Sequence, residues 1–407
     1  MATEPLAVNG RTYRWPQVPV VVICFDGCDP AYLEAAAAAG AIPTLSSMMR
    51  EGFSATALAA MPTFTNPNNV AIACGAPPVV TGVAGNYYLD RQSGREVMVL
   101  DGHQMRAETI FAAFSAAGAR VAVVTAKDKL LRALARHHDG IAFSAESPAQ
   151  ATAAIGTFGK GDPDKYSADL SLWVLDAGVA LLERQQPEIV YLSLSDYVQH
   201  KHAPAEPEAI AFMQAVDARV ARLRAGGAVV GIVADHGMND MADADGRPLV
   251  VYVEDELNRA LGAGSVRVIC PITDPFMRHH ASLGGFVRVY LRGEGLDAEA
   301  VRLLVADLPG IALALSGAEA CGRWDLPADS EADIVVVAEK GVALGATAAE
   351  HDLSALAGQR LRSHGGLSEQ AVPFILSHPV SADYVARARS GLRNFDIFDY
   401  AINGVTA

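Results

Sequence analysis

Seven residues whose types belong together in phosphoryl-transfer chemistry stand at or near the ends of apolar runs. Asp26 follows Val-Pro-Val-Val-Val-Ile-Cys-Phe (18–25), Asp196 closes Val-Tyr-Leu-Ser-Leu-Ser (190–195), and Asp235 and His236 close Ala-Val-Val-Gly-Ile-Val-Ala (228–234). His200 comes four residues after Asp196, Thr65 lies in Met61-Pro-Thr-Phe-Thr-Asn-Pro-Asn-Asn69, and His364 in Ser363-His-Gly-Gly366. Three carboxylates, three imidazoles and one hydroxyl are the donors of a site that holds two zinc ions and supplies its own nucleophile.

Spacing sharpens the pattern. Asp196 and His200 are one helical turn apart, so a helix beginning after the strand would aim both at one point. Asp235 and His236 are adjacent, where a loop leaving a strand can turn both inward, and an aspartate after a buried strand needs a partner. Pro67, just after Thr65, predicts a helix beginning at or just beyond the threonine, whose free amides and dipole would favour an anion. Asp29-Pro30 reads as a helix cap and first turn rather than as a ligand. Cys24 and Cys28 straddle Asp26, but without a CxxC pair they are expected to pack as small apolar groups.

The elements that must carry these residues alternate. Strands are predicted at 18–25, 120–125, 189–195 and 228–234, and helices near 30–39, 106–117, 167–184 and 207–224. Strands lacking polar alternation are buried on both faces, which predicts an α/β fold with a mostly parallel sheet sandwiched by helices. In such sheets, sites gather at the carboxyl ends of the strands. From about 250 to 350 the segments are short and several alternate polar with apolar residues. This predicts a smaller α+β insertion with one solvent-facing sheet surface. The expected division is a metal-binding core from 1–250 and 351–407, with an inserted cap at 251–350.

Composition bounds the function. The chain has 407 residues, 51% of them hydrophobic and 19% charged, enough to bury a large core and too apolar for disorder. A net charge of −14, with only 32 Lys and Arg, argues against general binding to nucleic acid or acidic membranes. An anionic substrate then needs local positive charge, which bound metal would provide. The amino terminus does not read as a secretory signal and no apolar run approaches the ~20 residues of a membrane span, so a cytoplasmic protein is expected. Five scattered cysteines disfavour a disulfide scaffold.

The joint pattern resembles the alkaline phosphatase superfamily, in its nucleotide pyrophosphatase/phosphodiesterase-like branch. The resemblance is carried by Asp26-Gly27, Pro62-Thr-Phe-Thr-Asn-Pro-Asn68, Gly82-Val-Ala-Gly-Asn86, Asp196-x3-His200, Ala234-Asp-His-Gly-Met238 and His364-Gly-Gly, in the family's order. The strings at 198–208, 362–370 and 392–400 resemble its members that cleave carbon–phosphorus bonds. The resemblance implies an alkaline-phosphatase-like core and two Zn²⁺ per chain, one on Asp196, His200 and His364 and the other on Asp26, Asp235 and His236. It also implies that Thr65 binds the second metal and is the nucleophile, and that Asn86 hydrogen-bonds a phosphonyl oxygen. The implied reaction hydrolyses a small anionic phosphonate, phosphonoacetate, to acetate and phosphate through a phospho-Thr65 intermediate. No nucleic-acid or membrane partner is expected, and a homodimer is left open.

The carbon leaving group bears developing charge beside a carboxylate, so nearby cations would lower the barrier. Lys127 and Lys129, after a predicted strand, are the candidates, with a solvated helix start as the plain alternative. Arg278, His279 and His280 in the insertion are the second choice. A phosphodiesterase or phosphomonoesterase on the same metal core is the alternative activity, for which Tyr87-Tyr88 would offer base stacking. A binding protein without catalysis is the third.

Overall fold

In the computed structural model of the chain, residues 4–406 are described except 92, 100, 160, 165, 274–279 and 357. A seven-stranded sheet forms the centre, in the order Phe53–Leu58, Ala371–Leu376, Val229–Val233, Val20–Cys24, Ile189–Ser193, Val121–Thr125, Ile141–Ser144. The last five are mutually parallel. Ala371–Leu376 runs antiparallel to both its neighbours. All five residues of each of the strands starting at 20, 121, 189 and 229 are buried. Such strands need helices on both faces, which is why uninterrupted β-branched runs alternate with helical ones here.

The predicted helices lie at Pro30–Ala38, Ile110–Ala116, Asp169–Arg184 and Pro207–Ala225. Pro207–Ala225 packs against Asp169–Arg184, Pro30–Ala38 and Pro43–Glu51. Asp29 caps Pro30–Ala38, its carboxylate accepting from the Ala31 amide. A further helix, Thr65–Cys74, begins at Thr65 itself with Phe64 as the preceding cap residue.

Register turns the strand ends into a site. Cys24 pairs with both Val233 and Ser193, and Ser193 with Thr125, so these four residues form one row across the sheet. Asp26, Asp235 and Lys127 each come two residues beyond that row and Asp196 comes three. Side chains far apart in sequence thus leave the sheet at one level.

A second, antiparallel sheet lies within 251–350, in the order Val266–Ile269, Phe286–Leu291, Ile334–Ala338, Ile311–Ser316. Helices Val253–Leu261, Ala298–Ala306 and Gly317–Trp324 contribute to its core, together with Met61 and Phe64 from the segment preceding the helix of Thr65. Its other face departs from expectation. The hairpin Tyr87–Asp90 and Arg95–Met98 covers it, Leu89 and Tyr87 packing on Ile269 and Tyr290. The alternating polar residues of these strands serve ion pairs rather than water: Arg267 bonds Glu96 at 2.6 Å and Glu254 at 3.0 Å. Buried Arg288 holds Glu331 at 2.6 and 2.8 Å.

The two parts meet along glycines. The Gly285 amide donates to the His364 carbonyl at 2.9 Å, and Ser363 Oγ donates to the Leu283 carbonyl at 2.6 Å. A Cβ on Gly284 would lie 2.6 Å from the His364 oxygen and one on Gly285 2.6 Å from the Gly366 nitrogen, so backbone approaches backbone only because both lack side chains. Among the described residues no helix is long and apolar enough to cross a membrane.

Candidate metal centre

Thr65 opens its helix without a side-chain cap, and with Pro67 lacking an N–H the first-turn amides left for an anion beside Thr65 are those of Thr65 and Asn66. That oxygen lies 3.1 Å from His236 Nε2. The preceding loop is pinned by Asn68, whose amide donates to the Ala60 and Phe64 carbonyls at 3.0 and 3.1 Å and accepts from the Ala60 amide at 2.7 Å.

Around Thr65 the structure gathers donor atoms in two overlapping groups, Asp26, Asp235 and His236, and Asp196, His236 and His364, all buried and each spanning no more than 4.8 Å. The first is the triad that the family resemblance implied. The second has His236 where His200 was expected, because the His236 and His364 rings stack at 3.5 Å and 7°. His200 stands at the edge of this group, Nε2 2.9 Å from Asp196 Oδ2 and its ring 5.7 Å from that of His364.

All three imidazoles are held the same way. His200 Nδ1 is 2.7 Å from the Arg362 carbonyl, His364 Nδ1 2.8 Å from that of Thr63, and His236 Nδ1 2.9 Å from that of Gly237. A carbonyl only accepts, so each Nδ1 carries the proton and each Nε2 faces the site as a potential ligand.

The electrostatics fit a divalent cation. Asp26 is pushed up to about 7 by burial, with Asp196 and Asp235 adding to it. Burial works against charge on His236, yet Asp235, Asp26 and Asp196 together raise it to about 9. His364 moves the other way, well below the usual imidazole range, through burial and its two histidine neighbours. Protons on Asp26 and His236 meet the same demand that bound cations would. Asp26 Oδ1 is buried with no geometric hydrogen bond among the described residues, and His236 Nε2 is 3.3 Å away, close enough for attraction. Oxygen and nitrogen donors of this kind suit zinc. Cys24 and Cys28 belong to neither group, and burial pushes both thiols up.

Lys127 reaches the centre, Nζ 3.2 Å from Asp196 Oδ1. It lies in the short strand-end connection as the residue preceding helix Asp128–Leu134, and Asp128 turns away to Ser147 at 2.9 Å. Two residues on, Lys129 lines a narrow cleft with Asn66, Val70, Asp101 and Ala133. Asn86 is buried beside the cap. Its amide nitrogen is 3.5 Å from the Ile272 carbonyl, and its Oδ1 has no partner among the described residues. The His280 ring lies 5.6 Å from that of His200, whereas Arg278 and His279 fall outside the described residues. Tyr87 donates to Glu96 at 2.9 Å within the hairpin itself.

Sequence reading missed the residues behind the donors. Asn69, Tyr191 and Ser193 form a buried network against Asp235. Glu369 accepts from Asn239 and the Gly366 amide, and its carbonyl accepts from the Gly237 amide at 2.7 Å, joining the loops of His236 and His364. The available signal was the two hydroxyls inside the otherwise apolar run 189–193.

Comparison with known proteins agrees with this geometry. The profile of the type I phosphodiesterase / nucleotide pyrophosphatase family matches residues 20–366. The phosphonoacetate hydrolase of Sinorhizobium meliloti 1021, solved with phosphonoformate and with phosphonoacetate, is 43% identical, covers 100% of both chains and superposes with TM-scores of 0.92 and 0.91. A 28-residue stretch is 68% identical to the phosphonoacetate hydrolase of Penicillium oxalicum, spanning 7% of this chain and 39% of that protein. Murine ectonucleotide pyrophosphatase / phosphodiesterase 5 shares the fold at 17% identity, 96% coverage of both chains and a TM-score of 0.63. The chain therefore belongs to the type I phosphodiesterase / nucleotide pyrophosphatase family of the alkaline phosphatase superfamily, a group of metal-dependent enzymes, and within it stands beside phosphonoacetate hydrolase.

Proposed function

We propose that the protein hydrolyses the carbon–phosphorus bond of phosphonoacetate to acetate and phosphate, using two zinc ions and a phospho-Thr65 intermediate. The observation that carries this reading is the convergence of Thr65 Oγ1 on His236, between two buried donor groups, with Lys127 beside one of them. The likeness over the whole chain to an enzyme solved with phosphonoacetate supports the choice of substrate.

Asp26, Asp235 and His236 would hold one zinc, and Asp196, His200 and His364 the other. Zinc bound there supplies positive charge to the phosphonate oxygens and favours ionisation of a nearby hydroxyl. Thr65 Oγ1 attacks phosphorus as the carbon–phosphorus bond breaks, and the departing carbon takes up a proton to become acetate. Water then displaces Thr65 from phosphorus, releasing phosphate and restoring the hydroxyl. The uncapped helix amides and the Asn86 side chain stabilise the phosphoryl oxygens. Lys127, with Lys129 behind it, draws charge from the leaving carbon through its carboxylate. Segment 251–350 would border the site through Gly284 and Gly285, which lie against the His364 loop.

Phosphate release is to be measured with phosphonoacetate, other phosphonates and phosphate esters, before and after chelation and zinc return. Preference for phosphonoacetate, lost on chelation and restored by zinc, is expected. Faster turnover of nucleotide or aryl esters would replace this reading with a phosphoesterase.

A further inference from the structure

Asn69 lies one turn beyond Thr65 and uses its whole side chain. Its amide nitrogen donates to the Thr65 carbonyl at 3.1 Å and to Asp235 Oδ2 at 3.0 Å. Its oxygen accepts from Tyr191 Oη at 2.8 Å and Ser193 Oγ at 2.9 Å. Two hydroxyl donors on one side and a carbonyl plus a carboxylate on the other fix which way the amide points. Asn69, Tyr191, Ser193 and Asp235 are all buried.

Asp235 is constrained in turn. Its Oδ1 accepts from the Gly27 and His236 amides at 3.2 and 3.1 Å, which occupies that oxygen. Oδ2 takes one bond from Asn69 and faces His236 Nε2 at 3.7 Å. A carboxylate offers about four acceptor sites, so one on Oδ2 is left for a cation.

We infer that Asn69 is a positioning residue that locks Asp235 and the start of the Thr65 helix into one frame, presenting Asp235 Oδ2 and Thr65 Oγ1 to the same metal. This rests on the metal-site reading above. Tyr191 and Ser193, on the strand leading to Asp196, tie that frame to the other donor group. A sequence feature thereby gains a purpose: hydroxyls inside an apolar strand serve to orient one amide.

The test is a double-mutant cycle of Asn69→Ala and Tyr191→Phe, read by zinc affinity from chelator competition, by the visible absorption of the Co²⁺-loaded protein and by kcat and KM. For Asn69→Ala we expect roughly 10–100-fold weaker metal binding. The cobalt spectrum should shift, and kcat should fall with KM little changed. Tyr191→Phe should give a smaller loss in the same direction that nearly vanishes when Asn69 is already alanine. If Asn69→Ala does not fold, Ser193→Ala and Tyr191→Phe carry the same test singly and together, with less-than-additive losses in metal affinity expected. Unchanged affinity and spectrum with only lowered stability, or fully additive losses, would overturn the inference. The metal titration decides the role of Asn69 even if phosphonoacetate proves not to be the substrate.

Discussion

Each imidazole of the centre has to present a bare Nε2 to a crowded, buried space, and each solves this by spending Nδ1 on a backbone carbonyl. The tautomer is thus set by the main chain of Arg362, Thr63 and Gly237. Against that fixed background the Thr65 hydroxyl bonds the Nε2 of His236. Thr65→Ala should retain zinc, measured by metal analysis, while kcat falls by roughly three orders of magnitude or more. Turnover that persists with metal in place would remove the covalent route. Lys127 is expected to matter for the leaving group more than for phosphorus. Lys127→Met should lower kcat/KM on phosphonoacetate about 10²–10³-fold. An activated aryl phosphate, whose leaving group needs no such help, should lose far less; equal losses would assign Lys127 to Asp196 alone.

At the scale of elements, the row formed by Cys24, Val233, Ser193 and Thr125 does the assembling. Sequence made the strand ends legible because uninterrupted β-branched runs followed by polar residues are a local pattern. Their common level is a matter of register between strands up to 209 positions apart in numbering, from Cys24 to Val233, which no local pattern records. The same limit explains His236. Asp235 and His236 were legible as neighbours after a buried strand and Asp26 joined them only through the family resemblance, whereas the stacking of His236 on His364 depends on two loops meeting in space. The hairpin at 87–98 was likewise invisible as a cover for the second sheet, since alternation predicts that a face is polar and not what lies on it. One glycine carries much of the loop packing. Gly365 has φ 123°, and a Cβ there would sit 2.3 Å from the Phe64 ring. Gly365→Ala should therefore cost at least about 1–3 kcal/mol in backbone strain alone, seen as a lower midpoint in denaturant unfolding. An unchanged midpoint would mean that the Phe64 loop yields.

For the whole molecule, three carboxylates buried in one place make metal part of the stability as well as the chemistry. Removal of zinc should lower Tm, and its return at a hundred times Kd should add about 2.7 kcal/mol. A Tm indifferent to chelation would contradict the assignment of these donors. The seam between the two sheets gives a way to watch this. The Gly285 amide proton belongs to the second sheet's part of the chain, but its acceptor is the carbonyl of His364. Its exchange with solvent deuterium is consequently a clock on the seating of the His364 loop: slow while that loop holds its place, faster whenever it lifts. A single backbone proton, silent in any assay of turnover, would report how often the centre comes apart.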